Sequence, residues 1–209
     1  MGTQLQLALD AISYDDAMNL VPRIQDQLDI LELGTPFLLL NGLDALTRFH
    51  EAVPDLALLS DCKIMDGGGP MAELSLSRGA TYVSVLAVAE DHVLIGAQQA
   101  AEAAGGDVVA DLIACPNPVE RGRELLELGV DHFCVHGGFG SDLSHTITVA
   151  TQLRKAFPQC WLSVAGGVTQ GSVGRLREFA PDALVVGGAI TSAPDPSQAA
   201  ARLREALDA

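Results

Sequence analysis

The chain has 209 residues, 48% of them hydrophobic, and a formal net charge of −15. That is enough apolar material for one substantial core, so a single compact domain over residues 1–209 is expected. The acidic balance, with no cluster of Lys and Arg, argues against nucleic acid and anionic membranes as partners. No apolar run approaches the roughly 20 residues that a membrane-crossing helix needs. The start, Met1-Gly2-Thr3-Gln4, lacks the basic stretch of a signal peptide. Cys62, Cys115, Cys134 and Cys160 are widely spaced with no C-x-x-C, which predicts reduced thiols in a cytoplasmic protein rather than a zinc site or a disulfide framework.

In chain order, apolar β-rich runs recur at a nearly even interval. The predicted strands are Leu5–Leu9, Leu28–Leu33, Leu56–Ser60, Tyr82–Ala87, Val108–Ile113, His132–His136, Trp161–Ala165 and Ala183–Gly187. Between them lie stretches rich in Ala, Glu, Leu and Arg, such as Val93–Ala104, Val119–Leu128 and Val173–Phe179. Asp16 and Asp91 read as helix-start acids, and Gly105 and Gly129 as glycines just past a helix end. Eight βα units with short connections predict an α/β fold, a (β/α)8 TIM barrel. An open doubly wound sheet is the alternative, but the first strand is not followed by its G-x-G-x-x-G turn.

A barrel places its chemistry at the C-terminal ends of the strands. The polar residues fall there: Asp10 after strand one, Glu32 in strand two, and Asp61 and Lys63 after strand three. Asp111 lies late in strand five, and His136 ends strand six. Gly166-Gly167 and Gly187-Gly188 follow strands seven and eight, where a barrel commonly holds a phosphate against backbone N–H groups. Glu32 and Asp61, assisted by Asp10 and Asp66, are hard oxygen donors suited to Mg²⁺ or Mn²⁺.

Lys63 is one of only two lysines against ten arginines, and its neighbours Asp61 and Asp66 are acids. They should hold it as an ammonium, which favours an electrostatic role over a Schiff base. A structural ion pair at a strand end is the bland alternative. His136, followed by Gly137-Gly138, is placed for proton transfer. His132 is expected to pack at the strand start, and His50, His92 and His145 carry no assigned chemistry.

Leu5-Gln6-Leu7-Ala8-Leu9-Asp10, Glu32-Leu33-Gly34-Thr35-Pro36, Asp61-x-Lys63-x-x-Asp66-Gly67-Gly68, Val164-Ala165-Gly166-Gly167 and Gly187-Gly188-Ala189-Ile190-Thr191 together resemble the 3-hexulose-6-phosphate synthases. These are orotidine-phosphate-decarboxylase-like barrels, with the 3-keto-L-gulonate-6-phosphate decarboxylases as a sister family. The resemblance implies a metal-dependent aldolase that joins formaldehyde to D-ribulose 5-phosphate. It further implies Mg²⁺ on Glu32 and Asp61, Lys63 against the enediolate, and Asp10 on substrate hydroxyls. His136 would shuttle the proton, the glycine pairs would hold the phosphate, and Asp66 would reach the partner's site in a homodimer.

The stretch His136-Gly137-Gly138-Phe139-Gly140-Ser141-Asp142 departs from the synthase pattern at Gly140, and Met71 stands where a glutamate is usual. The sister decarboxylases carry an arginine after the histidine, and this stretch has none. A keto-sugar-phosphate decarboxylase or isomerase on the same barrel is the alternative activity. A non-catalytic sugar-phosphate-binding protein is the third reading.

Overall fold

A computed structural model describes residues 2–137 and 143–209. Eight parallel strands close into a barrel in sequence order: β1 (Gln4–Leu9), β2 (Ile30–Leu33), β3 (Ala57–Ile64), β4 (Tyr82–Leu86), β5 (Asp107–Asp111), β6 (His132–Val135), β7 (Trp161–Val164) and β8 (Ala183–Val186). Closure is made by β1 against β8, with Gln4 level with Ala183 and Leu7 with Val186. Around the strands lie α1 (Tyr14–Ile24), α2 (Thr35–Asn41), α3 (Asp44–Ala52), α4 (Gly68–Leu76), α5 (Asp91–Ala104), α6 (Pro118–Glu127), α7 (Leu143–Ala156), α8 (Val173–Arg177), the one-turn α9 (Gly188–Thr191) and α10 (Pro196–Asp208). All eight predicted strands are present. Among the described residues, no helix is long and apolar enough to cross a membrane.

Strand alternation divides the core in two. Leu5, Leu7 and Leu9 of β1 face outward into the large layer between strands and helices, together with Leu31, Leu33, Leu58, Val83, Val85, Phe133 and Leu184. Inside the barrel, Ile30, Leu59 and Val109 form a separate plug, flanked by Ala57, Tyr82, Cys134 and Trp161. This plug is the floor on which the polar mouth rests.

Two local features shape that mouth. The first is the length of β3, which runs four residues past the predicted end at Ser60 and takes Asp61 and Lys63 into the strand. Its pairing with β4 shifts there: Ser60 is level with Val83 but Ile64 with Val85. Asp61, Cys62 and Lys63 therefore bulge against Ser84 alone, and Lys63 takes a left-handed φ of 46°. An irregular strand end cannot be read from apolar periodicity, which is why the sequence reading stops short.

The second feature is the contact between α4 and α5. A Cβ on Gly68 would lie 1.8 Å from the Val93 carbonyl oxygen, and one on Gly69 would lie 3.3 Å from that of Gly96. Glycine here lets two helices touch through their backbones. Behind them, the Ser60, Cys62 and Ser75 side chains form a hydrogen-bonded trio that ties α4 to β3. The rim carrying Met65 and Asp66 is thereby held on both sides.

His132 sits on the inner face of β6, 2% exposed, its ring 3.8 Å from Trp161 and 5.6 Å from Tyr82 between centroids. Burial pushes its imidazole down to about 3, and its Nε2 has no hydrogen-bond partner in the structure. It packs, as expected of it. Because the folded pKa lies below the unfolded value of about 6.5, the unfolded chain binds the extra proton between them. Stability is thus fully kept above about pH 6.5 and lost as pH falls toward 3, on the order of 2 kcal/mol by pH 5. His132→Phe should flatten this dependence. Urea unfolding at pH 7 and pH 5 should show a smaller loss for the variant than for the wild type. An equal loss would mean that His132 does not carry the acid sensitivity.

Candidate active site

The mouth of the barrel opens into a cavity of about 640 Å³, lined among others by Asp10, Glu32, Asp61, Lys63, Asp111 and His136, and by both glycine pairs. Each of the six polar groups comes from the C-terminal end of a different turn of the sheet or from the irregular end of β3. Parallel strands point the same parity of residues inward, so Glu32, Asp61, Lys63 and Asp111 converge without any loop having to reach in.

Lys63 is the hub. Its Nζ donates to Asp111 Oδ2 at 2.6 Å and to Asp61 Oδ1 at 3.1 Å. Burial alone would pull the ammonium down, but Asp61 and Asp111 together push it above the ordinary lysine value. The bare amine that a Schiff base requires is therefore disfavoured. Asp111, nearly fully buried, also accepts from the Ile113 backbone N–H at 2.9 Å. Its Oδ2 lies 3.0 Å from His136 Nε2. Burial pushes the Asp111 carboxyl up, but the hydrogen bonds and charges of His136 and Lys63 more than offset this and hold it below the ordinary aspartate value.

Asp61 is fixed from several sides. Ser84 Oγ donates to its Oδ1 at 2.8 Å, and Thr35 Oγ1 to its Oδ2 at 2.8 Å. Glu32, one strand over, accepts from Gln6 Nε2 at 2.6 Å. Burial pushes its carboxyl up to about 8; the nearby Asp61 adds to the rise, and the Gln6 hydrogen bond opposes it. Asp10 stands over the backbone of the β2–α2 turn, where a Cβ on Gly34 would come 2.0 Å from its Oδ1. Burial and Asp61 raise its carboxyl, while Lys63 and His136 act the other way.

Glu32 and Asp61 fit a hard divalent cation. They are oxygen donors on adjacent strands, and the half-buried Glu32 carboxylate, pushed up by its surroundings, is one whose ionised form a cation would favour. Among the described residues, no three His, Cys, Asp or Glu side chains gather as ligands.

Gly166 and Gly167 have φ of 89° and 74°, a left-handed conformation that glycine adopts at little steric cost, and a Cβ on Gly166 would lie 3.8 Å from that of His136. Gly187 and Gly188, at the start of α9, line the same cavity. Among the described residues, the wall holds no arginine, so Lys63 is its one permanent cation.

Not every candidate converges. Asp66 is exposed and caps its own turn, accepting from the Gly67 N–H at 2.7 Å, and it does not line the cavity. Gly138 to Asp142, on which the substrate loop was read, lie outside the described residues. Conversely, Asp111 was noted on the rim without a role, and Ser84, Thr35 and Gln6 were not singled out. The available signal for Asp111 was an acid at inward parity, two residues beyond Val109, in an otherwise apolar strand.

Residues 3–203 match the Orotidine 5'-phosphate decarboxylase / HUMPS family. The chain is 35% identical over 210 residues to a 3-hexulose-6-phosphate synthase of Mycobacterium gastri, covering 98% of this chain and 99% of that protein. To the corresponding protein of Bacillus subtilis it is 31% identical over 206 residues, 98% of each chain. The crystal structure of 3-hexulose-6-phosphate synthase from Salmonella typhimurium superposes with a TM-score of 0.93 at 35% identity, again over 98% of each chain. The chain therefore belongs to the Orotidine 5'-phosphate decarboxylase / HUMPS family and is an enzyme of the lyase class.

Proposed function

We propose that this enzyme joins formaldehyde to D-ribulose 5-phosphate, giving D-arabino-3-hexulose 6-phosphate through an enediolate. The observation that carries the reading is the array of Asp61, Lys63, Asp111 and His136 in a cavity whose wall also carries two pairs of glycines. A sugar phosphate offers a partner for each, a dianion for the glycine backbone and a reacting carbonyl for the charged array. The names of the full-length relatives supply the substrate class.

The glycine pairs anchor the phosphate through backbone N–H groups, and Asp10 accepts from sugar hydroxyls. His136 takes the C1 proton, with its ring oriented by Asp111. The electron pair left on C1 delocalises onto the C2 oxygen, where the Lys63 ammonium stabilises the negative charge. C1 then attacks the formaldehyde carbon, forming one C–C bond, and the former aldehyde oxygen takes up a proton. Glu32 and Asp61 would hold Mg²⁺ or Mn²⁺, which when bound would supply Lewis-acid stabilisation of the developing oxyanion.

The same reading includes a homodimer with shared sites. Leu39 and Leu40 on α2 are each 81% exposed, and Met65, Met71, Leu74, Val88 and Ile95 are exposed around the next two βα units. An apolar surface of this kind beside Asp66 favours a second copy of the chain packed on that rim, in a two-fold arrangement.

Two outcomes follow from this reading. Assays with Mg²⁺ on a panel of keto-sugar phosphates should show formaldehyde consumption with ribulose 5-phosphate and no carbon dioxide release from 3-keto-L-gulonate 6-phosphate. EDTA should abolish the activity and Mg²⁺ or Mn²⁺ restore it. Carbon dioxide release as the dominant reaction, or a substrate trapped on Lys63 by borohydride, would overturn it. Separately, Asp61→Asn and Asp66→Asn homodimers should each be nearly inactive. Co-refolding equal amounts should recover about a quarter of wild-type activity, since half the dimers are mixed and each has one intact site. Mixed dimers that form but stay inactive would place Asp66 in its own subunit's site.

A further inference from the structure

Three residues of β3, Asp61, Cys62 and Lys63, stand against the single residue Ser84 of β4. A bulge leaves the extra residues outside the regular ladder, and their polar groups need other partners. At Lys63 that partner is a side chain: its backbone N–H donates to Ser84 Oγ at 2.8 Å. The same hydroxyl donates its proton to Asp61 Oδ1 at 2.8 Å. That carboxylate oxygen also receives the Lys63 ammonium at 3.1 Å. The three residues thus close a ring, running from the Lys63 N–H through the Ser84 hydroxyl to Asp61 and back to the Lys63 side chain.

Ser84 is 3% exposed and stands at the cavity wall, where a water replacing its hydroxyl would not be held by a covalent bond to the strand and would fix neither partner as closely. A left-handed lysine is uncommon and persists only where its surroundings hold it. A hydroxyl is the smallest side-chain group that accepts and donates at once. Alanine there would take the side-chain partner from the part-buried Lys63 N–H and leave the Asp61 oxygen one donor short.

We infer that Ser84 is the positioning residue of this site, its hydroxyl fixing the Lys63 backbone in the bulge and the Asp61 carboxylate beneath the ammonium. The inference rests on the proposed roles of Lys63 and Asp61 in the aldol reaction. Its consequence is specific. Losing the hydroxyl should displace the charged pair relative to the substrate without altering the proposed phosphate anchorage at the glycine pairs, which neither of these Ser84 bonds touches.

The test compares Ser84→Ala and Ser84→Thr with the wild type by kinetics and by NMR amide exchange. Misplacing a catalytic group should lower kcat of Ser84→Ala by about 10²-fold, with KM for ribulose 5-phosphate within about threefold. Ser84→Thr, which keeps the hydroxyl and has the cavity to receive its methyl, should return kcat to within about fivefold of wild type. The Lys63 amide should exchange about tenfold or more faster in Ser84→Ala than in Ser84→Thr, with Leu58 and Leu59 unchanged. If Ser84→Ala does not fold, Ser84→Cys, which weakens both bonds at similar volume, takes its place with the same expectations. A folded variant with wild-type kcat and an equally protected Lys63 amide would overturn the inference. So would a Ser84→Thr as impaired as Ser84→Ala. A wild type without aldolase activity would overturn the proposed reaction, and the exchange comparison would still decide the role of Ser84.

Discussion

The ion pair between Lys63 and the two aspartates, Asp61 and Asp111, constrains everything around it. Three charges at the mouth of an otherwise apolar barrel are costly to desolvate, and removing one partner of such a buried set typically costs about 3–5 kcal/mol. The fold meets that cost with dense hydrogen bonding. Asp61 takes donors from Ser84 and Thr35, and Asp111 from His136 and the Ile113 N–H. What remains is strain and unbalanced charge at one place, namely the left-handed Lys63 and the reluctantly ionised Glu32. Such features accumulate where a protein acts on a ligand.

The rest of the barrel serves this arrangement. The apolar plug of Ile30, Leu59 and Val109 closes the floor, so the charged residues face a cavity and not a channel. Among the described residues, the cavity wall, its two glycine pairs included, carries no permanent cation besides Lys63.

Much of this was legible in the sequence, because the two strongest signals are periodic. Eight apolar runs at even spacing gave the barrel, and acids at strand ends marked the working rim. The limits were set by features without a period. β3 was read as ending at Ser60, because Asp61-Cys62-Lys63 interrupt the apolar run, yet the strand continues through them as a bulge. Ser84, Thr35 and Gln6 are ordinary polar residues on the line. Their roles come only from register, which sets which side chains meet across strands. Asp111 became the bridge between Lys63 and His136 by the same means. Asp66, expected to face a partner and not its own Asp61 and Glu32, stands exposed where Gly67 turns the chain, and its carboxylate caps the turn.

The central claim is that this cluster forms an enediolate with His136 moving the C1 proton. The most direct measurement is ¹H NMR of ribulose 5-phosphate in D₂O with enzyme and Mg²⁺ but without formaldehyde. The account predicts washout of one C1 proton, slowed by about 10² or more in His136→Ala, the scale of losing a general base. An enzyme that turns over with formaldehyde while leaving the C1 protons in place, or a His136→Ala that exchanges at the wild-type rate, would contradict it.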